Sequence, residues 1–118
     1  MNSDLNGTWC CQFISPAKGI HDFALVLKQD SGKWTAQMQL VRRDPNGRIL
    51  NVAFRTHVEV CDKYVALLSK DAAKDSSGLN AMVLEATDNK NVMRGRIIWN
   101  SISEKIIQEG TLEWQRKA

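Results

Sequence analysis

At 118 residues, 43% hydrophobic and 25% charged, with two prolines and seven glycines, the chain is long enough for one packed core and too short for two. That composition excludes a disordered or low-complexity polymer, and a net charge of +3 permits an anionic ligand without demanding one. No stretch approaches the ~20 consecutive apolar residues of a membrane-spanning helix.

Period-two alternation then runs from one end to the other. Trp9, Cys11 and Phe13 alternate with Thr8, Cys10 and Gln12, and Phe23, Leu25 and Leu27 with Ala24, Val26 and Lys28. Trp34, Ala36, Met38 and Leu40 alternate with Thr35, Gln37 and Gln39. Leu50, Val52, Phe54, Thr56, Val58 and Val60 alternate with Asn51, Arg55, His57 and Glu59. Residues 64–69 are apolar on both faces, and residues 79–87 include Met82 and Leu84. Met93, Gly95, Ile97 and Trp99 alternate with Arg94, Arg96 and Ile98. Ile106, Gln108, Gly110, Leu112 and Trp114 alternate with Ile107, Glu109, Thr111 and Glu113. Each run reads as a strand with one wet face.

Between these runs, Asp30-Ser31-Gly32-Lys33 and Asp44-Pro45-Asn46-Gly47 are hairpin turns by composition, and 61–63 and 88–91 are short links. The longest polar link is 71–78, whose first four residues have room for one helical turn. Eight strands joined by short links predict an all-β fold, a single closed eight-stranded up-and-down antiparallel β-barrel filling residues 1–118 as one domain. Closure, with residues 8–15 beside residues 105–116, removes two sheet edges that would otherwise be exposed. A barrel of this size is filled by side chains or holds one small ligand. Gly95 and Gly110 fall on the inward phase, where a missing side chain suits a bend or a close approach.

Catalytic and metal chemistry is absent from this pattern. His21 and His57 have no second histidine or cysteine at ligand spacing, so neither a metal site nor a cofactor is expected. There is no nucleophile elbow, dinucleotide fingerprint or phosphate loop, and the expectation is a protein that is not an enzyme. Cys10 and Cys11 point to opposite faces of a strand, and an odd set with Cys61 makes no disulfide framework. Free thiols in the cytosol are expected.

Aromatic and polar residues on the inward phase carry more. Trp9, Trp34, Trp99 and Trp114 read first as core. A cavity wall that stacks on a planar ligand is the alternative, and Trp34 and Trp99 are its candidates. Four tryptophans would also crowd the lumen, and a large ligand would then need a rim or an interface. Arg42, Thr56 and Gln108 interrupt otherwise apolar inward series, and a buried polar group needs a partner from protein, water or ligand. The candidate ligand-binding set is therefore Trp34, Arg42, Thr56, Trp99 and Gln108. Arg94 and Arg96 share the outward phase and read as a solvated face.

Gly7-Thr8-Trp9, with Arg116 near the other end, resembles the lipocalin superfamily. That resemblance implies a tryptophan plugging the barrel base with a basic residue packed over it. Over nearly its whole length the chain is similar to the barrel domain of bacterial CBASS anti-phage effectors, which carry two transmembrane helices before a minimal lipocalin-like barrel. Leu5-Asn6-Gly7-Thr8-Trp9, Phe23-Ala24-Leu25-Val26-Leu27-Lys28-Gln29, Trp34 and Gly110-Thr111-Leu112-Glu113-Trp114 carry the similarity. It implies a soluble cyclic dinucleotide sensor that self-associates on binding and disrupts the inner membrane only through helices absent from this chain. It implies no DNA or RNA duplex as partner, and a cytoplasmic domain held at the inner membrane in the full-length protein. A lipocalin-like carrier of an apolar ligand and a protein-binding adaptor or inhibitor are the rival readings.

Overall fold

A computed structural model describes residues 4–15, 19–73, 78–101 and 105–117. It contains eight strands: β1 (Gly7–Ser15), β2 (Gly19–Asp30), β3 (Lys33–Arg43), β4 (Ile49–Cys61), β5 (Tyr64–Asp71), β6 (Leu79–Ala86), β7 (Val92–Ser101) and β8 (Ile106–Arg116). Each pairs antiparallel with its chain neighbours, and β1 closes on β8, giving a closed up-and-down barrel as the alternation predicts. The described residues contain no helix, and so none long and apolar enough to cross a membrane. Ala72 and Ala73, at the expected helical turn, are not helical, and Lys74 lies outside the described residues.

Turn chemistry sets the register. Ser31 and Gly32 both have positive φ, at 52° and 82°, which matches the twist of the flanking strands and aligns Asp30 with Lys33. Counting back from that pair places Leu27 opposite Ala36, Leu25 opposite Met38 and Phe23 opposite Leu40, all facing inward. The closing seam is shorter than the other ladders. It registers Trp9 with Arg116 and Cys10 with Gln115, and the Lys117 N–H donates to the Thr8 carbonyl at 2.8 Å.

The alternation sorts the side chains as expected. Trp9, Leu25, Val65, Leu84, Met93 and Trp114 are sealed in the interior, while His57, Arg94 and Arg96 lie on the outer wall. There Arg94 pairs with Glu113 at 2.9 Å and Arg96 with Glu109 at 2.6 Å, so both arginines belong to a solvated, charge-balanced face. Cys10 and Cys61 are exposed, Cys11 is buried, and all three are free. Gly95 and Gly110 are inward close approaches. A Cβ on Gly95 would collide with the Val83 carbonyl, and one on Gly110 would come 2.8 Å from the Phe13 ring.

The barrel has two unlike ends. At the end holding residues 4–6, Trp9 Nε1 donates to the Leu5 carbonyl at 3.1 Å, and the Arg116 guanidinium stacks 4.3 Å from the centre of the Trp9 ring. Arg116 also donates to the carbonyls of Asn6, of Asp4 at 2.6 Å and of Lys90 at 3.1 Å. Trp9 thus plugs this end and Arg116 packs over it, in the arrangement the Gly7-Thr8-Trp9 motif implies. Asn6 ties the segment down further, its Oδ1 accepting from Gln29 N–H at 2.7 Å. Donation from the Asn6 side chain and backbone holds the Asp4 carboxyl below its ordinary pKa.

Candidate functional site

The strand ends Ser15 and Gly19, Arg43 and Ile49, Asp71 and Leu79, and Ser101 and Ile106 gather at the opposite end, where the lumen is open. The reason lies in side-chain volume. Trp9 and Trp114 spend their bulk at the plugged end, where Trp34 also lies, and Trp99 is the one of the four that borders the open end. The result is a cavity of about 770 Å³ reaching from the mouth into the barrel. The crowding expected from four tryptophans does not occur, because they are not stacked at one height.

Phe23, Leu40, Val52, Phe54 and Ile97 form the apolar part of this cavity. One side is aromatic: the Phe13 ring stands edge-on to Trp99, centroids 5.4 Å apart, and to His21 at 5.9 Å. Gly110 makes room for this Phe13 ring, which is the close approach its phase suggested. The rim is polar and carries Arg42, Asp44, Asn46, Asp71 and Asn100. Arg42 donates through Nε to Asp44 Oδ1 at 3.0 Å, which offsets its charge but leaves its terminal NH₂ groups to meet an anion. Asp71 Oδ1 accepts from Ala73 N–H at 2.8 Å, bending the chain as it leaves β5. The site therefore offers a π-face, an apolar floor and a rim of mixed charge, and suits a ligand with a planar or apolar body and a polar margin.

Of the five candidates read from the sequence, Trp99 and Arg42 line this cavity. Trp34 does not. It is inward and partly buried, but it follows the 31–32 turn and so lies at the plugged end. Thr56 and Gln108 belong to one interior row that crosses five strands, Thr56–Ser69–Asn80–Trp99–Gln108, each residue registered with the next. Thr56 Oγ1 and Ser69 Oγ share a hydrogen bond at 3.0 Å, so the Thr56 hydroxyl has a protein partner. Gln108, opposite Trp99, does not line the cavity.

Sequence reasoning missed Phe13, His21, Asp44, Ser69 and Asn80. Ser69 was within reach: Cys61 pairs with Tyr64 across the Asp62-Lys63 turn, and counting back five places sets Thr56 against Ser69. Asn80 carried no such signal toward β5, since its register with Ser69 depends on the 71–78 link. Among the described residues, no group of histidine, cysteine or acidic side chains could hold a metal ion.

Compared with known proteins, the chain matches no protein-family model, no curated protein and no solved structure.

Proposed function

We propose that the protein is a small-ligand-binding barrel whose open end senses a cyclic dinucleotide. The observation that carries this reading is a cavity lined by both Trp99 and Arg42, within the ~300–1,000 Å³ range of small-molecule sites. One base stacks on Trp99, the sugar and second base cover the apolar floor, and the free NH₂ groups of Arg42 take a phosphate. On this reading binding promotes self-association, and any action on a membrane is the work of transmembrane helices, none of which is found among the described residues.

Thermal shift with a panel of cyclic dinucleotides tests it. A ligand at a hundredfold excess over its Kd adds about 2.7 kcal/mol of stability. Trp99→Leu and Arg42→Ala remove most of the shift, and a flat panel sinks the reading. The balanced Arg42–Asp44 pair above an apolar floor favours a second reading, a carrier of a largely apolar ligand. Stabilisation by fatty acids or retinoids, with nucleotides inert, would select it. Silence from both panels would favour an adaptor that binds protein through its outer wall.

A further inference from the structure

One stretch of the outer wall is charged without balance. Arg55 on β4 and Lys70 on β5 stand directly opposite each other, both exposed, and no carboxylate meets either among the described residues. No other described strand pair sets two like full charges face to face, and such a pair weakens a sheet. Elsewhere on the outer wall Arg43, Arg94 and Arg96 each meet a carboxylate. The two cations frame a shallow depression of about 430 Å³ whose apolar part is Leu68 and Leu79, and which shares only Leu79 with the lumenal cavity. From Leu68 the apolar surface continues across the ladders to Ala81 and Ile98, with Val83 beside them. Leu68, Val83 and Ile98 are 51%, 59% and 47% exposed, so neighbouring aliphatic side chains lie open to solvent as one patch.

We infer that this face docks a protein segment that seats an apolar side chain in the depression and sets a carboxylate against Arg55 and Lys70. An apolar anchor in a pocket is the usual centre of a protein interface. A carboxylate between the two cations removes the repulsion that the free barrel carries, so a pair that weakens the sheet alone selects an acidic partner. The far margin of the patch argues against a lipid surface. Glu109 faces Ile98 across the β7–β8 ladder, and its charge is already taken by Arg96. A uniformly anionic surface would press on that carboxylate, whereas a segment with its acid at one end avoids it. A second copy docked through the same face would bring a second unanswered cation pair to the contact. The face is separate from the ligand cavity, and the assignment holds whether or not that cavity takes a nucleotide.

A random twelve-residue peptide library displayed on phage and selected on the intact barrel tests the assignment. Enriched sequences carry aspartate or glutamate within a few residues of leucine, isoleucine or phenylalanine. Synthetic copies shift the amide NMR signals of Leu68, Ala81 and Ile98 and leave those of Phe13 and Trp99 in place. Arg55→Glu weakens these peptides by roughly tenfold, and Leu68→Ser weakens them as well. The midpoint of unfolding without peptide rises in Arg55→Glu, because a like-charge pair has become an opposite one. Should that variant fail to fold, Arg55→Gln carries the same comparison. No enrichment, enriched sequences that lack acidic residues, signals that move only at Phe13 and Trp99, or binding that survives both substitutions overturns the assignment. Self-association in sedimentation that Leu68→Ser disperses overturns it in favour of a second copy. Retention on phosphatidylserine–phosphatidylcholine vesicles that Arg55→Glu abolishes overturns it in favour of lipid.

Discussion

The plugged end and the open end are built from the same alternating strands, yet one is solid and the other hollow. At the plugged end the chain itself answers Trp9 Nε1 through Leu5, and Arg116 through Asp4, Asn6 and Lys90. At the open end the aromatic rings meet edge-on around empty volume, and the buried Asn80 Oδ1 has no donor among the described residues. On the proposed reading, stability and recognition fall to opposite ends, so substitutions at the two should fail in different ways.

The largest contrast is between two tryptophans. Trp9→Ala should cost about 3–5 kcal/mol in urea unfolding, because a fully buried indole leaves an unfilled cavity and removes the surface under Arg116. Trp99→Ala should cost less than half as much, since its ring already borders open volume, while eliminating ligand-induced stabilisation. Equal losses would break the contrast. Next comes Arg116→Met, which keeps the stem and deletes the guanidinium. It should cost about 1–3 kcal/mol through the lost charged hydrogen bonds and the cation–π contact, and amide exchange at Asn6 should accelerate. Exchange that stays slow would mean that Asn6 and Gln29 hold the segment alone.

Arg42→Ala belongs to the other end and should shift unfolding by only about 0–1 kcal/mol, as expected of a partly exposed ion pair, while weakening anionic ligands at least tenfold. The last effect is confined to alkaline solution. Burial pushes the Cys11 thiol up to about 12, only partly countered by its hydrogen bond with the Glu113 backbone. The folded state therefore keeps this proton when the unfolded chain loses it. The contribution is whole below the ordinary thiol value of 9.0 and drains away between there and about 12, at about 1.4 kcal/mol per pH unit. Cys11→Ala should flatten that part of the profile. At pH 8 a thiol reagent should modify Cys10 and Cys61 of the native protein and spare Cys11.

What could be read from the sequence follows the same division. Alternation gave the strand count, the faces and closure, because a buried face imposes a period of two on every strand around a barrel. It also put Trp99 and Arg42 on the inner face. Phase alone carries no height along the axis, however, and Trp34 shows the consequence: it faces inward, but four residues on from Asp30 it is still at the plugged end. Height was partly recoverable by counting from two-residue turns, as Thr56 and Ser69 show. It was not recoverable across the 71–78 link, which sets where Asn80 meets Ser69.

The Arg116 clamp holds residues 4–6 next to the last strand, at the pole away from the cavity. A dye, a bead or a reporter polypeptide fused before residue 4 or after residue 117 would therefore hang below the barrel and leave its entrance unobstructed. Attached at either of these points, the barrel would keep its cavity open to solution.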